Sequence, residues 1–183
     1  MYKESIMLLR SRGIQVEAGL TDDEVGKIEK IYNIQFPKSL KEFLMEGVPI
    51  SDGYYNWRNF KADNIEYIKR VIYRPVKYIE DYPEEVEWYK EWGKEPEVVS
   101  NRIQIVKKRL MDAPTLLPIY VHRYMPESLD ENPPVISVMG VDIVFYGENL
   151  VEYFKVEFGE KKHAEINCKV IKPIPFWSDI IDL

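Results

Sequence analysis

Apolar residues recur along this chain at helical spacing first, then in short β-rich runs, then at helical spacing again. Thr21-Asp22-Asp23-Glu24 has the form of a capping box, in which the threonine hydroxyl and the glutamate carboxylate each satisfy an amide at a helix start. Val25, Ile28 and Tyr32 follow on one stripe, and Asn33 closes the predicted helix before the extended pair Phe36-Pro37. Pro37 suits the first turn of a second helix, with Phe36, Leu40, Phe43 and Leu44 on its apolar side and Gly47 as its stop. Residues 49–60, with Gly53, Tyr54, Tyr55, Asn56 and Trp57, predict a loop and then an aromatic strand. From Asn64, the positions Ile65, Ile68, Val71 and Ile72 restore helical periodicity until Pro75, which lacks the amide a helix interior needs. A further short helix is expected over 84–92, ending at Gly93. Val99, Ile103, Val106 and Leu110 form the most regular amphipathic stripe, stopped by Pro114.

Three runs rich in branched and aromatic residues follow, at 116–124, 135–138 and 142–146. Met139-Gly140-Val141 is short enough to join the last two as an antiparallel hairpin. Gly147 and Glu148 open a last helix carrying Leu150, Tyr153, Phe154 and Phe158 on one face, which Gly159 closes. The tail from 166 to 183 predicts an edge strand at Val170-Ile171-Lys172 and an apolar wrap from Pro173 to Trp177. No repeat or low-complexity linker divides the chain, so residues 1–183 read as one α+β domain, a mostly antiparallel sheet packed with several helices.

Composition narrows the class. A chain of 183 residues, 45% hydrophobic and 13% aromatic, has enough apolar material for a packed core without disulfide or metal staples. The single cysteine, Cys168, excludes an internal disulfide and favours a reducing compartment, which makes the cytoplasm the expected location. Ile6-Met7-Leu8-Leu9 is too short for a signal-peptide core, and no apolar run reaches the roughly 20 residues of a membrane span. Neither secretion by a standard signal nor membrane insertion is expected.

The net charge of −6 argues against generic nucleic-acid binding, whose footprint is a basic face. All of that excess lies between Tyr78 and Ser100, where Glu80, Asp81, Glu84, Glu85, Glu87, Glu91, Glu95 and Glu97 meet only Lys90 and Lys94. Basic residues flank this stretch on both sides, from Lys61 to Lys77 and from Arg102 to Arg109. Tyr78, Tyr82, Trp88, Tyr89 and Trp92 interleave with the acids. Such a pattern has two readings: core aromatics beneath a solvated acidic face, or a surface on which aromatics anchor and charges steer a basic protein partner.

Signals for chemistry are few. His122, His163 and Cys168 are scattered without metal-ligand spacing, and no phosphate-binding glycine loop or nucleophile elbow is present, so no metal or cofactor is expected. A Cys168–His163 dyad is one reading, but His163 follows the charged stretch Glu160-Lys161-Lys162 and a lone Cys in an apolar, strand-like stretch is usually core. The end of the 116–124 run presents His122, Arg123 and Tyr124. Strand alternation would put His122 and Tyr124 on one side and Arg123 on the other, which splits any catalytic constellation. Their structural reading is a satisfied histidine beside an arginine paired with Asp142 or Glu148.

In their order and spacing, several segments resemble the SUKH superfamily, which includes fungal Smi/Knr cell-wall synthesis regulators and many bacterial immunity proteins. The segments are Gly19-Leu20-Thr21-Asp22-Asp23-Glu24-Val25, then Ile28-Glu29-Lys30-Ile31-Tyr32-Asn33-Ile34-Gln35-Phe36-Pro37, then Leu40, Phe43, Leu44, Gly47 and Trp57. They continue with Glu87-Trp88-Tyr89-Lys90-Glu91-Trp92-Gly93, the run 117–126, Asn132-Pro133 through Val138, and 142–147. The likeness spans roughly residues 19–158 and departs from the family pattern at Pro134 and Val141. It implies a single SUKH-like domain that binds proteins and carries no catalytic set. For bacterial members it implies neutralising a toxin, often a nuclease or another nucleic-acid-directed enzyme, by occluding a basic active site. A Smi/Knr-type regulator binding a host protein is the alternative. With this resemblance, the expected contact residues are Glu80, Asp81, Glu84, Glu85, Glu87, Trp88 and Trp92, together with Tyr55 and Trp57. An enzyme built on His122 and a carboxylate is the remaining class.

Overall fold

The capping box at Thr21 forms as its residues dictate. Thr21 Oγ1 accepts from the Glu24 amide at 3.2 Å, and Glu24 accepts from the Thr21 amide at 2.8 Å. In the computed structural model, which describes residues 2–128 and 130–181, this box opens α2 (Asp22–Tyr32). Asn33 ends it in the left-handed conformation. The element order begins α1 (Lys3–Ser11), β1 (Val16–Ala18), α2, α3 (Lys38–Glu46), β2 (Gly47–Pro49), α4 (Ala62–Asp81) and α5 (Val99–Leu110). It continues with β3 (Leu116–Tyr120), β4 (Arg123–Pro126), β5 (Val135–Met139), β6 (Asp142–Gly147) and α6 (Leu150–Glu157). The chain is a single α+β domain. Strands β3 to β6 form an antiparallel meander in chain order, while β1 and β2 pair separately.

Every position of β4, and all but the last of β3 and β5, is buried, so both faces of the meander are covered. Alternation along β4 assigns the covers. Tyr124 points to α4, where its hydroxyl donates to the Val71 carbonyl at 3.3 Å. Arg123 and Met125 point the other way, to Glu157 of α6 and Ser39 of α3. The edge strand β6 alternates between buried and more exposed positions, as a half-covered edge should.

The Tyr124 contact explains one departure from the sequence pattern. Helix α4 does not stop at Pro75 but runs on to Asp81 with the proline inside it. A proline in a helix leaves the carbonyl four residues earlier without its amide donor. Here that carbonyl belongs to Val71, and the Tyr124 hydroxyl serves it from the sheet.

Other expectations change for similar tertiary reasons. Residues 84–92 form two 3₁₀ turns, Pro83–Glu85 and Lys90–Trp92, in place of a helix. The run 116–124 breaks into two strands at Val121-His122. The aromatic stretch after Gly53 contributes only an isolated bridge, Tyr54 to Tyr120. Residues 170–172 lie in and after a 3₁₀ turn, Cys168–Val170, and not in an edge strand. The apolar wrap does form: Ile174, Phe176 and Trp177 are buried, and the Trp177 indole donates to the Pro114 carbonyl at 3.0 Å. Asp182 and Leu183, the end of the expected tail, lie outside the described residues. Helix α1, whose Ile6 and Leu9 enter the core, and the β1–β2 pair were not signalled by periodicity. Helix α6 takes its N-cap from Asn149, whose side chain accepts from the Val151 and Glu152 amides, one residue beyond the expected Gly147-Glu148 opening.

Arg58 ties the first half together. Its Nε donates to Glu24 at 2.7 Å, and its Nη atoms donate to the Ala18 and Gly19 carbonyls at 2.9 and 2.8 Å. Arg58, with the Thr21 amide next in weight, holds the Glu24 carboxyl down at about 2. An unfolded glutamate titrates near 4.3. The pair's stabilisation is therefore complete above that value and is lost as pH falls from about 4.3 towards 2, where the unfolded chain binds the proton first. Glu24→Gln is expected to flatten this part of the acid limb in melting temperature against pH. An unchanged acid limb would contradict the assignment.

Candidate functional site

The acidic stretch is carried on the connection between α4 and α5, and its backbone is pinned. Pro83 and Val86 are buried. Arg102, from the first turns of α5, donates to the Glu84 carbonyl at 3.0 Å and also to the Val86 carbonyl. Its Nε lies 2.8 Å from Glu95, an ion pair without hydrogen-bond alignment. Trp92 fastens the far end: its indole donates to Asp179 at 2.8 Å and its ring stacks on Phe176 with centroids 6.1 Å apart. Trp88 donates to the Gly93 carbonyl at 2.8 Å and meets Trp92 edge-on. The loop has irregular backbone but several fixed attachments to the body, which lowers the ordering cost of presenting its side chains.

The expected contact residues divide into three groups. Glu84 and Glu87 are exposed and make no ion pair among the described residues, and Glu91 shares that state. Glu80, Asp81 and Glu85 are also exposed but engaged at home, by the Tyr73 hydroxyl, Lys77 and the Tyr78 hydroxyl. Trp88 is half-buried, and Trp92 turns inward as the loop's anchor. Tyr55 and Trp57 do not belong to a contact surface. Trp57 is 2% exposed and packs edge-on against Tyr32 and Phe36 at 5.4 and 5.2 Å. Tyr55 is 5% exposed, and its hydroxyl donates to the Val121 carbonyl at 2.6 Å. Packing draws both into the core instead: Trp57 meets Tyr32 at the end of α2, and Tyr55 stacks on Tyr67 of α4.

What the loop presents is therefore Glu84, Glu87 and Glu91 beside the rings of Tyr82, Trp88 and Tyr89. Tyr82 is 47% exposed and Tyr89 37%. Unpaired carboxylates beside exposed aromatic rings suit a cationic protein surface, through steering and ring contact. Nothing in the local pattern signals the anchors, Arg102 and Asp179, because both act across long distances in the chain.

His163 and the half-buried Cys168 line one concavity, and His122 lines another. Arg123 is buried; its Nε donates to Glu157 at 3.1 Å and its Nη1 to Ser137 Oγ at 3.0 Å. Its guanidinium also lies 3.6 Å from the centre of the Tyr146 ring. Of the expected partners, Glu148 pairs with Lys161 at 2.6 Å, and Asp142 forms no ion pair among the described residues. His122 sits in a hairpin turn, where burial and then the Arg123 charge push its imidazole below the ordinary value. His163 Nε2 donates to the Phe145 carbonyl at 2.9 Å. Among the described residues no group of three or more His, Cys, Asp or Glu side chains is placed to hold a metal ion, and no helix is long and apolar enough to cross a membrane.

Compared with protein-family models, curated proteins and solved structures, the chain finds no match.

Proposed function

We propose that this protein works by binding, as a SUKH-type immunity protein that neutralises a cognate toxin by covering its basic active site. The observation that carries this reading is the pinned loop between α4 and α5, with Glu84, Glu87 and Glu91 exposed and forming no ion pair among the described residues, beside exposed rings. A toxin acting on nucleic acid must present cations to phosphates. A rigid acidic loop competes for those cations, and its field speeds encounter by about 10–10³-fold. The chain's whole negative excess lies in the segment that contains this loop, which focuses the field on one side of the molecule.

The test is expression beside the toxin domain encoded by the neighbouring reading frame, scored by co-purification and by rescue of growth. The triple variant Glu84→Lys, Glu87→Lys, Glu91→Lys is expected to weaken the complex at least ~100-fold, on the order of 1–2 kcal/mol per reversed contact. It should also flatten the dependence of association rate on salt. Because all three side chains are exposed, the variant should melt close to the parent. Unchanged affinity and salt dependence would remove the loop as the contact surface. Loss of the protein that alters growth with no toxin present would favour the host-protein regulator.

A further inference from the structure

A concavity opens at the end of the sheet where both hairpins turn. Arg74 and Tyr78 of α4 form one side, Val121 and His122 of the β3–β4 turn the floor, and Met139 and Gly140 of the β5–β6 turn the other side. It measures about 470 Å³, and no acidic side chain lines it. Small-ligand sites typically occupy roughly 300–1,000 Å³. A neighbouring hollow along α4 shares Arg74 and Tyr78 with it and passes Arg70, Lys77 and Asp81.

Three features of this place bear on ligand binding. The first is Arg74. Lys69 and Lys77 pair with Glu66 and Asp81, whereas Arg74, like Arg70 one turn before it, forms no ion pair among the described residues, and only Arg74 of the two lines this groove. Its charge reaches the sheet, where it partly offsets the effect of burial on the Tyr55 and Tyr124 hydroxyls.

Backbone strain is the second. In both hairpin turns only the first central residue has positive φ: Gly140 at 66° and Val121 at 47°. That position in a two-residue turn favours glycine, and a β-branched residue there is strained. The strained turn is held by its surroundings. Val121 N donates to the Gly53 carbonyl at 2.8 Å, the Tyr55 hydroxyl donates to the Val121 carbonyl at 2.6 Å, and Val138 N donates to the His122 carbonyl at 3.0 Å. Strain maintained in this way is concentrated at functional sites. Here it fixes His122 at the groove floor, with a ring that makes no hydrogen bond among the described residues.

Tyr78 is the third. Its hydroxyl is held by Glu85 at 2.7 Å, and its ring fills the space where a side chain on residue 140 would stand, 2.9 Å from the ring. This packing leaves a fixed aromatic wall next to the unpaired guanidinium.

We propose that this groove binds a small organic anion, a carboxylate or a phosphate monoester on a planar apolar body. Arg74 engages the anion through its planar fork, His122 adds a hydrogen bond, and the body lies against Tyr78 and Met139. The site is separate from the acidic loop, and its test is independent of any toxin.

The full chain, labelled with ¹⁵N, is titrated with phenyl phosphate, with benzoate and with the neutral probe benzyl alcohol. At least one of the two anions is expected to shift the amides of Val121, His122, Met139 and Gly140 saturably, with benzyl alcohol about 10-fold weaker or worse. Saturation by phenyl phosphate alone assigns a phosphate monoester, by benzoate alone a carboxylate, and by both the shared anion chemistry. Arg74→Gln should weaken anion binding about 10-fold. Lys30→Gln, an equal loss of charge on α2, should leave it unchanged. The absence of saturable shifts with both anions, shifts confined to other surfaces, or full affinity in Arg74→Gln would overturn the proposal.

Discussion

Gly19→Ala is expected to cost on the order of 4 kcal/mol, above the usual range for an overpacked position. A β-carbon at residue 19 would stand 1.7 Å from the Met45 carbonyl oxygen and 2.3 Å from its carbonyl carbon. Both atoms are backbone, so no side chain can rotate away. The strand end must instead move off α3. That movement would break the Leu20 amide bond to the Leu44 carbonyl (2.9 Å) and the Arg58 bond to the Gly19 carbonyl (2.8 Å). For a chain of this length the loss corresponds to a fall of about 12 °C in melting temperature. Gly26→Ala is the matched control. Gly26 lies within α2 with nothing within 4 Å of an added β-carbon, so helix propensity predicts a gain of up to about 1 kcal/mol. The same chemical change should thus have opposite signs at two nearby positions. A Gly19→Ala protein melting with the parent would show that the close approach is wrong.

Arg123→Ala should destabilise by about 3–4 kcal/mol, read from the urea midpoint. The guanidinium and the Glu157 carboxylate are 10% and 16% exposed, so removing one leaves the other charged and largely out of water. Ser137 loses its partner and Tyr146 its cation in the same step. If the cost comes mainly from the stranded carboxylate, Arg123→Met with Glu157→Leu should be less destabilised than Arg123→Met alone. A double variant as unstable as the sum of the single changes would instead locate the cost in packing.

Local rules made much of the helical framework legible. The capping box at Thr21, the left-handed Asn33, the stripes of α2 and α3 and the apolar face of α6 all follow from residues within a turn or two of one another. The β5–β6 hairpin was equally readable, because Gly140 supplies the positive φ its turn requires. The neighbouring hairpin was not. Val121 carries no turn signal, and the strain it accepts is held by Gly53 and Tyr55 from a segment about 70 residues earlier. Pro75 misled for the complementary reason, since the group that satisfies the Val71 carbonyl is a tyrosine about 50 residues later. At the candidate site the acids were readable as a charge run. Which of them pair locally was not, because Tyr73 and Lys77 claim Glu80 and Asp81 along α4 and Tyr78 claims Glu85 across the turn that follows it.

By itself, the sequence determined the class, an α+β domain with an antiparallel sheet, and the concentration of negative charge between Tyr78 and Ser100. Periodicity, caps and charge are properties of neighbouring residues, and they survive without knowledge of distant contacts. Tertiary structure alone decided that Tyr55 and Trp57 are core, that Arg123 belongs to Glu157, and that Glu84, Glu87 and Glu91 form no ion pair among the described residues. It alone brought Arg74, Tyr78 and His122 around one groove. Each of those outcomes turns on which side chain reaches a buried carbonyl, carboxylate or ring first, and only the packing of distant segments settles that competition.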